Sequence, residues 1–156
     1  MEAFFDQYLD RLALVHQEIE ATVDGLPLEA MDWIPGPEMN SLGILMAHVA
    51  GAEKQWFGDV IAGERTGRDR EAEFRTRGRD AAALKAGLQE MLTYGRSVVA
   101  KLELADLTSE RVPYPDGRTM PVGSCLLHIL RHAAEHAGHM QVTRQLWEAH
   151  EASPRG

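Results

Sequence analysis

Residues 124–147 read SCLLHILRHAAEHAGHMQVTRQLW and carry four of the chain's seven histidines, at His128, His132, His136 and His139. No proline interrupts residues 122–153, so the whole stretch is free to form one helix. A helix turns about 100° per residue, which places these four positions within an arc of about 80°. One helix face therefore carries a column of imidazoles. The i, i+4 spacing of His132 and His136 lets two rings on one helix meet a single metal ion. A third donor must then come from another part of the chain.

Three further helices are expected around this one. In residues 3–23, Phe5, Tyr8, Leu9, Leu12, Val15, Ile19 and Val23 recur at three- and four-residue steps, which marks an amphipathic helix. Gly25 and Pro27 end it. A second helix starts after Ser41, a good N-cap residue, and runs to about residue 62. A third, residues 80–102, is capped by Asp80 and carries Leu84, Leu88, Met91, Leu92, Val98, Val99 and Leu102 on its apolar face.

The connections are equally legible. Residues 26–40 hold three prolines and a glycine and read as a linker with a short turn at 27–31, with Trp33 closing one end of the core. Residues 63–79, GERTGRDREAEFRTRGR, read as a solvated loop, since Glu64, Asp69, Glu71 and Glu73 offset much of the arginine charge. Residues 104–121 read as a loop whose Pro-Asp-Gly turn permits a short hairpin. Four helices with no repeat and no long strand define an all-α, up-and-down four-helix bundle. Its single domain is expected to span residues 1–152, with 153–156 as a tail.

Composition narrows the function. The net charge of −8 argues against nucleic-acid binding, which needs a cationic face. The charged N-terminus resembles neither a signal peptide nor a membrane anchor, and no apolar run approaches the roughly 18 residues of a membrane span. A cytoplasmic location is expected. Cys125 is the only cysteine, so the chain forms no internal disulfide.

His48 is the strongest candidate for the third donor. It sits in mid-helix among Leu45, Ala47, Val49 and Ala52, where an imidazole is costly unless paired or ligated. Gly138, a residue that costs a helix about 0.8–1.0 kcal/mol relative to alanine, points to close approach by another helix or a ligand. His128 and His139 share the arc of the other two and are expected to face inward as ligand, outer partner or proton carrier. His16 and His150 read as surface or helix-end residues. Trp56 and Phe57 either shape a pocket or pack the core, and Tyr8 is within reach of the metal from the first helix. Residues 132–136 also match H-x-x-E-H, an inverted zinc-protease pattern, with Glu135 as base. Against that reading, the chain has no sheet scaffold, the downstream acidic ligands it leaves, Glu148 and Glu151, lie near a frayed end, and Glu135 is turned about 100° away from the column.

Two stretches carry a family resemblance. MNSLGILMAHVAGAEKQWFGDVIAGE, residues 39–64, and LLHILRHAAEHAGHMQVTRQL, residues 126–146, resemble the second and last helices of the DinB/YfiT-like metalloenzyme superfamily. Within it the chain is similar to the thiol-transferase-like branch, and DWIPGP, residues 32–37, fits the usual tryptophan–proline lead-in. The resemblance implies one metal ligand on the second helix and two on the last, which fall here on His48, His132 and His136. It leaves the role of His139 open. It implies a divalent zinc or nickel ion that activates a low-molecular-weight thiol, a small-molecule substrate, and a homodimer; Phe4, Phe5 and Trp147 either serve such an interface or cap the core. A metal-dependent hydrolase with the same ligands, or a non-catalytic metal-binding stress protein, are the competing expectations.

Overall fold

The apolar spacing of the N-terminal segment is realised as helix α1, Ala3–Val23, in the computed structural model, which describes residues 2–153. Of the expected tail, residues 154–156 lie outside the described residues. Phe5, Tyr8, Leu9, Leu12, Ile19 and Val23 of α1 are buried. Removing each large apolar side chain from water contributes about 1.5–3 kcal/mol. Where a turn was expected after Pro27, the chain makes one short helix, α2 (Leu28–Asp32). Trp33 follows it and meets the ring of Trp147 edge-on at 5.7 Å and stacks on His150 at 5.4 Å, so it does close one end of the core.

Ser41 starts helix α3 (Leu42–Lys54) as expected, its hydroxyl accepting from the Ile44 N–H at 3.2 Å. The helix then widens into a π-helical segment, Gln55–Ala62, a departure that periodicity did not reveal. Wide turns of this kind re-aim side chains and recur at functional sites. Here two consecutive aromatics are buried against different neighbours. Phe57 packs on Gly95, where a Cβ would come within 2.6 Å of its ring. The Trp56 ring instead lies 4.1 Å from that of His128.

Residues 63–79 contain a short helix, α4 (Arg70–Phe74), capped by Asp69. Helix α5 (Ala81–Val99) opens on Asp80, whose carboxylate accepts from the Ala83 N–H at 2.8 Å. A 3-10 turn, Leu104–Thr108, leads into the hairpin β1 (Glu110–Arg111) and β2 (Met120–Pro121), paired antiparallel with Glu110 opposite Pro121. The chain ends in α6 (Val122–Ala152), about 46 Å of helix bearing the histidine column.

The four long helices make the expected all-α bundle, arranged around it in the order α1, α6, α3, α5. The connections from α1 to α3 and from α5 to α6 must therefore cross a diagonal, which explains their length. Residues 63–80 join neighbours, a task that needs only about 2–8 residues. Their excess length is spent on packing α4 against α3. Among the described residues no helix is long and apolar enough to cross a membrane.

Two sequence expectations are corrected here and one open choice is decided. His16 is not a surface residue: it is 3% exposed, and its Nε2 lies 2.7 Å from Glu53 Oε1, linking α1 to α3 across the bundle diagonal. Gly138 is exposed and nothing lies near it. Of the two roles open to Phe4, Phe5 and Trp147, core packing holds for Phe5 and Trp147, which are buried within this chain, while Phe4 is exposed.

Candidate metal centre

Helix α3 supplies His48 and α6 supplies His132 and His136. One ring nitrogen from each of the three lies within 4.8 Å of the other two. His48 Nε2 and His132 Nε2 are 3.2 Å apart. Tetrahedral bonds of about 2.0–2.1 Å separate two nitrogen ligands by about 3.3 Å, so this spacing fits one shared ion. The His136 ring sits 4.5 Å from that of His132 and 5.0 Å from that of His48. Three imidazoles with no carboxylate among them suit a borderline transition ion such as zinc or nickel better than magnesium or calcium.

Electrostatics favour lone pairs here. Burial first, then the neighbouring His136 and His48, push His132 down to about 3. Burial and then His48 and His139 push His136 down to about 4. Burial also lowers His48, against the pull of Glu73. All three are thus neutral at physiological pH, the form that binds metal. Unfolded, His132 and His136 protonate near their ordinary value of about 6.5; folded, they resist until about 3–4. Between these values the unfolded chain binds more protons, so the metal-free protein is expected to lose stability as pH falls below about 6.5. Urea unfolding of chelator-treated protein at pH 7 and pH 5 measures this.

The rest of the column is placed differently from the sequence expectation. His139 does not face inward: it is exposed, although its Nδ1 is 3.4 Å from His136 Nδ1. The His128 ring lies against that of Trp56 at a tilt of 36° and is 5.9 Å from His132, one step outside the cluster. Tyr114 meets Trp56 edge-on at 6.3 Å on that side. On the other side a cavity of about 300 Å³ is lined by Glu38, Met39, Asn40, Leu45, His139 and Thr143 among others. Tyr8 is buried, its hydroxyl without a partner and its phenol raised by burial and by Glu53. Glu135 is exposed and pairs with Arg131.

Residues 63–79 are not simply a solvated loop. His48 Nδ1 donates to Glu73 Oε2 at 3.0 Å. Arg68 donates to the same carboxylate through Nε at 2.6 Å and Nη2 at 2.7 Å, and through Nη1 to the Gln55 carbonyl. Side chains 68 and 73 are only 12% and 8% exposed. Nothing in the charge run distinguishes these two residues from their exposed neighbours; the one available signal was the loop's excess length.

The sequence matches the mycothiol-S-transferase family over residues 6–149. The chain belongs to that family. No curated protein matches it. Solved structures share its fold. A conserved protein from Enterococcus faecalis superposes with a TM-score of 0.80 at 15% identity, covering 96% of this chain and 99% of that one. A DinB-like protein from Bacillus cereus gives 0.72 at 18% identity, covering 97% and 95%. A mycothiol-dependent maleylpyruvate isomerase gives 0.65 at 17% identity, covering 90% of this family member and 63% of the isomerase.

Proposed function

We propose that this family member is a metal-dependent thiol S-transferase, with His48, His132 and His136 holding one divalent ion, zinc or nickel. The convergence of three neutral imidazole nitrogens within 4.8 Å carries this reading. Bound there, such an ion supplies Lewis acidity that favours the thiolate form of a thiol at neutral pH. The family's name points to mycothiol as that low-molecular-weight thiol.

The chain's own residues fit the role. Three protein donors leave coordination positions free for an incoming ligand. Cys125, the only cysteine, is fully buried, and burial pushes its thiol up to about 11. A thiol that is neither exposed nor ionised is not a nucleophile, so thiol chemistry at this centre needs a thiol from solution. The cavity beside His139 offers an adjoining space for a small electrophilic substrate.

The test uses untagged protein, since a polyhistidine tag would add imidazoles. Consumption of mycothiol, or of a simpler thiol, against an alkylating electrophile is followed with and without zinc or nickel. Rate enhancement that requires both thiol and metal is expected. Metal-dependent cleavage of an ester with no thiol present would overturn the reading in favour of a hydrolase.

A further inference from the structure

We propose that Glu73 is a positioning residue for His48, seated against Gly51, and that the long connection of residues 63–80 exists to deliver it. The proposal rests on the metal-centre reading above and assigns a role to a residue outside the ligand set.

The geometry leaves Glu73 one task. Its Oε1 accepts from Arg68 Nε, and its Oε2 accepts from both Arg68 Nη2 and His48 Nδ1. Glu73 meets His48 on Nδ1, while the ring's other nitrogen faces His132, so the carboxylate backs the imidazole rather than adding a donor to the centre. Accepting from Nδ1–H selects the tautomer of His48 whose lone pair is on Nε2, the nitrogen that faces His132. A carboxylate behind a ligand imidazole also fixes the ring's orientation and raises its basicity. Arg68 Nη2 lies 3.3 Å from His48 Nδ1 but finds its acceptor in the carboxylate. The guanidinium thereby balances the charge of Glu73. Phe74, next in α4, brings its ring to 5.1 Å from that of His48 and limits the ring's swing.

The seat is built into α3. Gly51 lies one turn after His48, and a Cβ there would fall 2.0 Å from Glu73 Oε1 and 2.4 Å from its carboxyl carbon. No side chain fits while Glu73 stays in place. Glycine in a helix interior costs about 0.5–1 kcal/mol relative to alanine, so its presence in α3 favours the carboxylate's position over local helix stability. Gln55, at the start of the π-helical segment, holds the far end of Arg68. Glu73 is thus gripped from three directions.

The experiment measures zinc affinity of untagged, full-length protein by competition with a chromophoric chelator, alongside the unfolding midpoint of the metal-free form. Glu73→Gln is expected to weaken affinity about 10–100-fold, the usual effect of losing a ligand's outer partner. Glu71→Gln, an exposed change on the same short helix, is expected to leave it unaltered. A merely structural role for Glu73 would shift the metal-free midpoint and not the affinity of the folded protein. Should Glu73→Gln fail to fold, Gly51→Ala decides in its place: it keeps Arg68 and Glu73 but displaces the carboxylate, and the same weakening is expected. Wild-type affinity in the folded variant overturns the proposal. If His48→Ala loses zinc while Glu73→Gln does not, the metal reading stands and this proposal alone falls. If the wild-type protein binds no zinc or nickel, both fall together.

Discussion

Replacing His48 with alanine is expected to reduce bound metal from about one ion per chain to almost none. His132 and His136 would remain as an i, i+4 pair on one helix, but an open site of this kind needs three protein donors. The loss should exceed the about 10–100-fold that removing an outer partner costs. His132→Ala and His136→Ala should behave alike, because each removes one of three equivalent nitrogens. His128→Ala is the control. Its ring is 5.9 Å from that of His132 and packed at a tilt against Trp56, so metal content should be kept. Elemental analysis of untagged variants purified side by side reads the result, and full metal content in His48→Ala would remove the basis of the proposed function.

The second large effect lies away from the metal centre. Glu53→Ala is expected to destabilise the protein by about 3–5 kcal/mol, since breaking a buried pair leaves its partner uncompensated. For a domain of this size that corresponds to a drop of about 10 °C in the unfolding midpoint. Glu53 is 2% exposed, and burial raises its carboxyl pKa while His16 opposes the shift. His16 Nδ1, Glu53 Oε2 and the Tyr8 hydroxyl are buried with no partner, so the group has little reserve when one member is lost. Replacing both partners together, His16→Leu with Glu53→Met, is expected to cost much less than Glu53→Ala, as apolar replacements of buried pairs commonly do. Chemical denaturation of the single and double variants measures the coupling. A double variant no more stable than Glu53→Ala would show that the pair is not what the stability depends on.

The parts of this molecule that obey local rules were readable from its sequence. Ser41 and Asp80 cap helices because a short oxygen-bearing side chain reaches N–H groups three residues on, a relation contained within one turn. His132 and His136 share a face by helical geometry alone, and His48 stood out as an imidazole in apolar company. What escaped notice depended on partners distant in sequence. His16 and Glu53 are 37 residues apart. Yet His16 occupies the buried slot between Leu12 and Ile19, and Glu53 the slot beside Ala52, so both lie where the apolar rhythm calls for a hydrophobe. The close approach that a helical glycine signals is at Gly51, and Gly138 faces open space. Arg68 and Glu73 were hidden among like residues because only tertiary packing distinguishes a buried arginine from a solvated one.

His48 and His132 are separated by 84 positions, more than half the polypeptide. An ion held between them would tie α3 to α6 as a removable tether, bound by the folded chain and released when the two helices separate. By mass action its stabilising effect grows with the free ion concentration. The cell's supply of that ion would then set how often each copy opens far enough for a protease to cut it, making metal availability a control on the protein's abundance as well as on its chemistry.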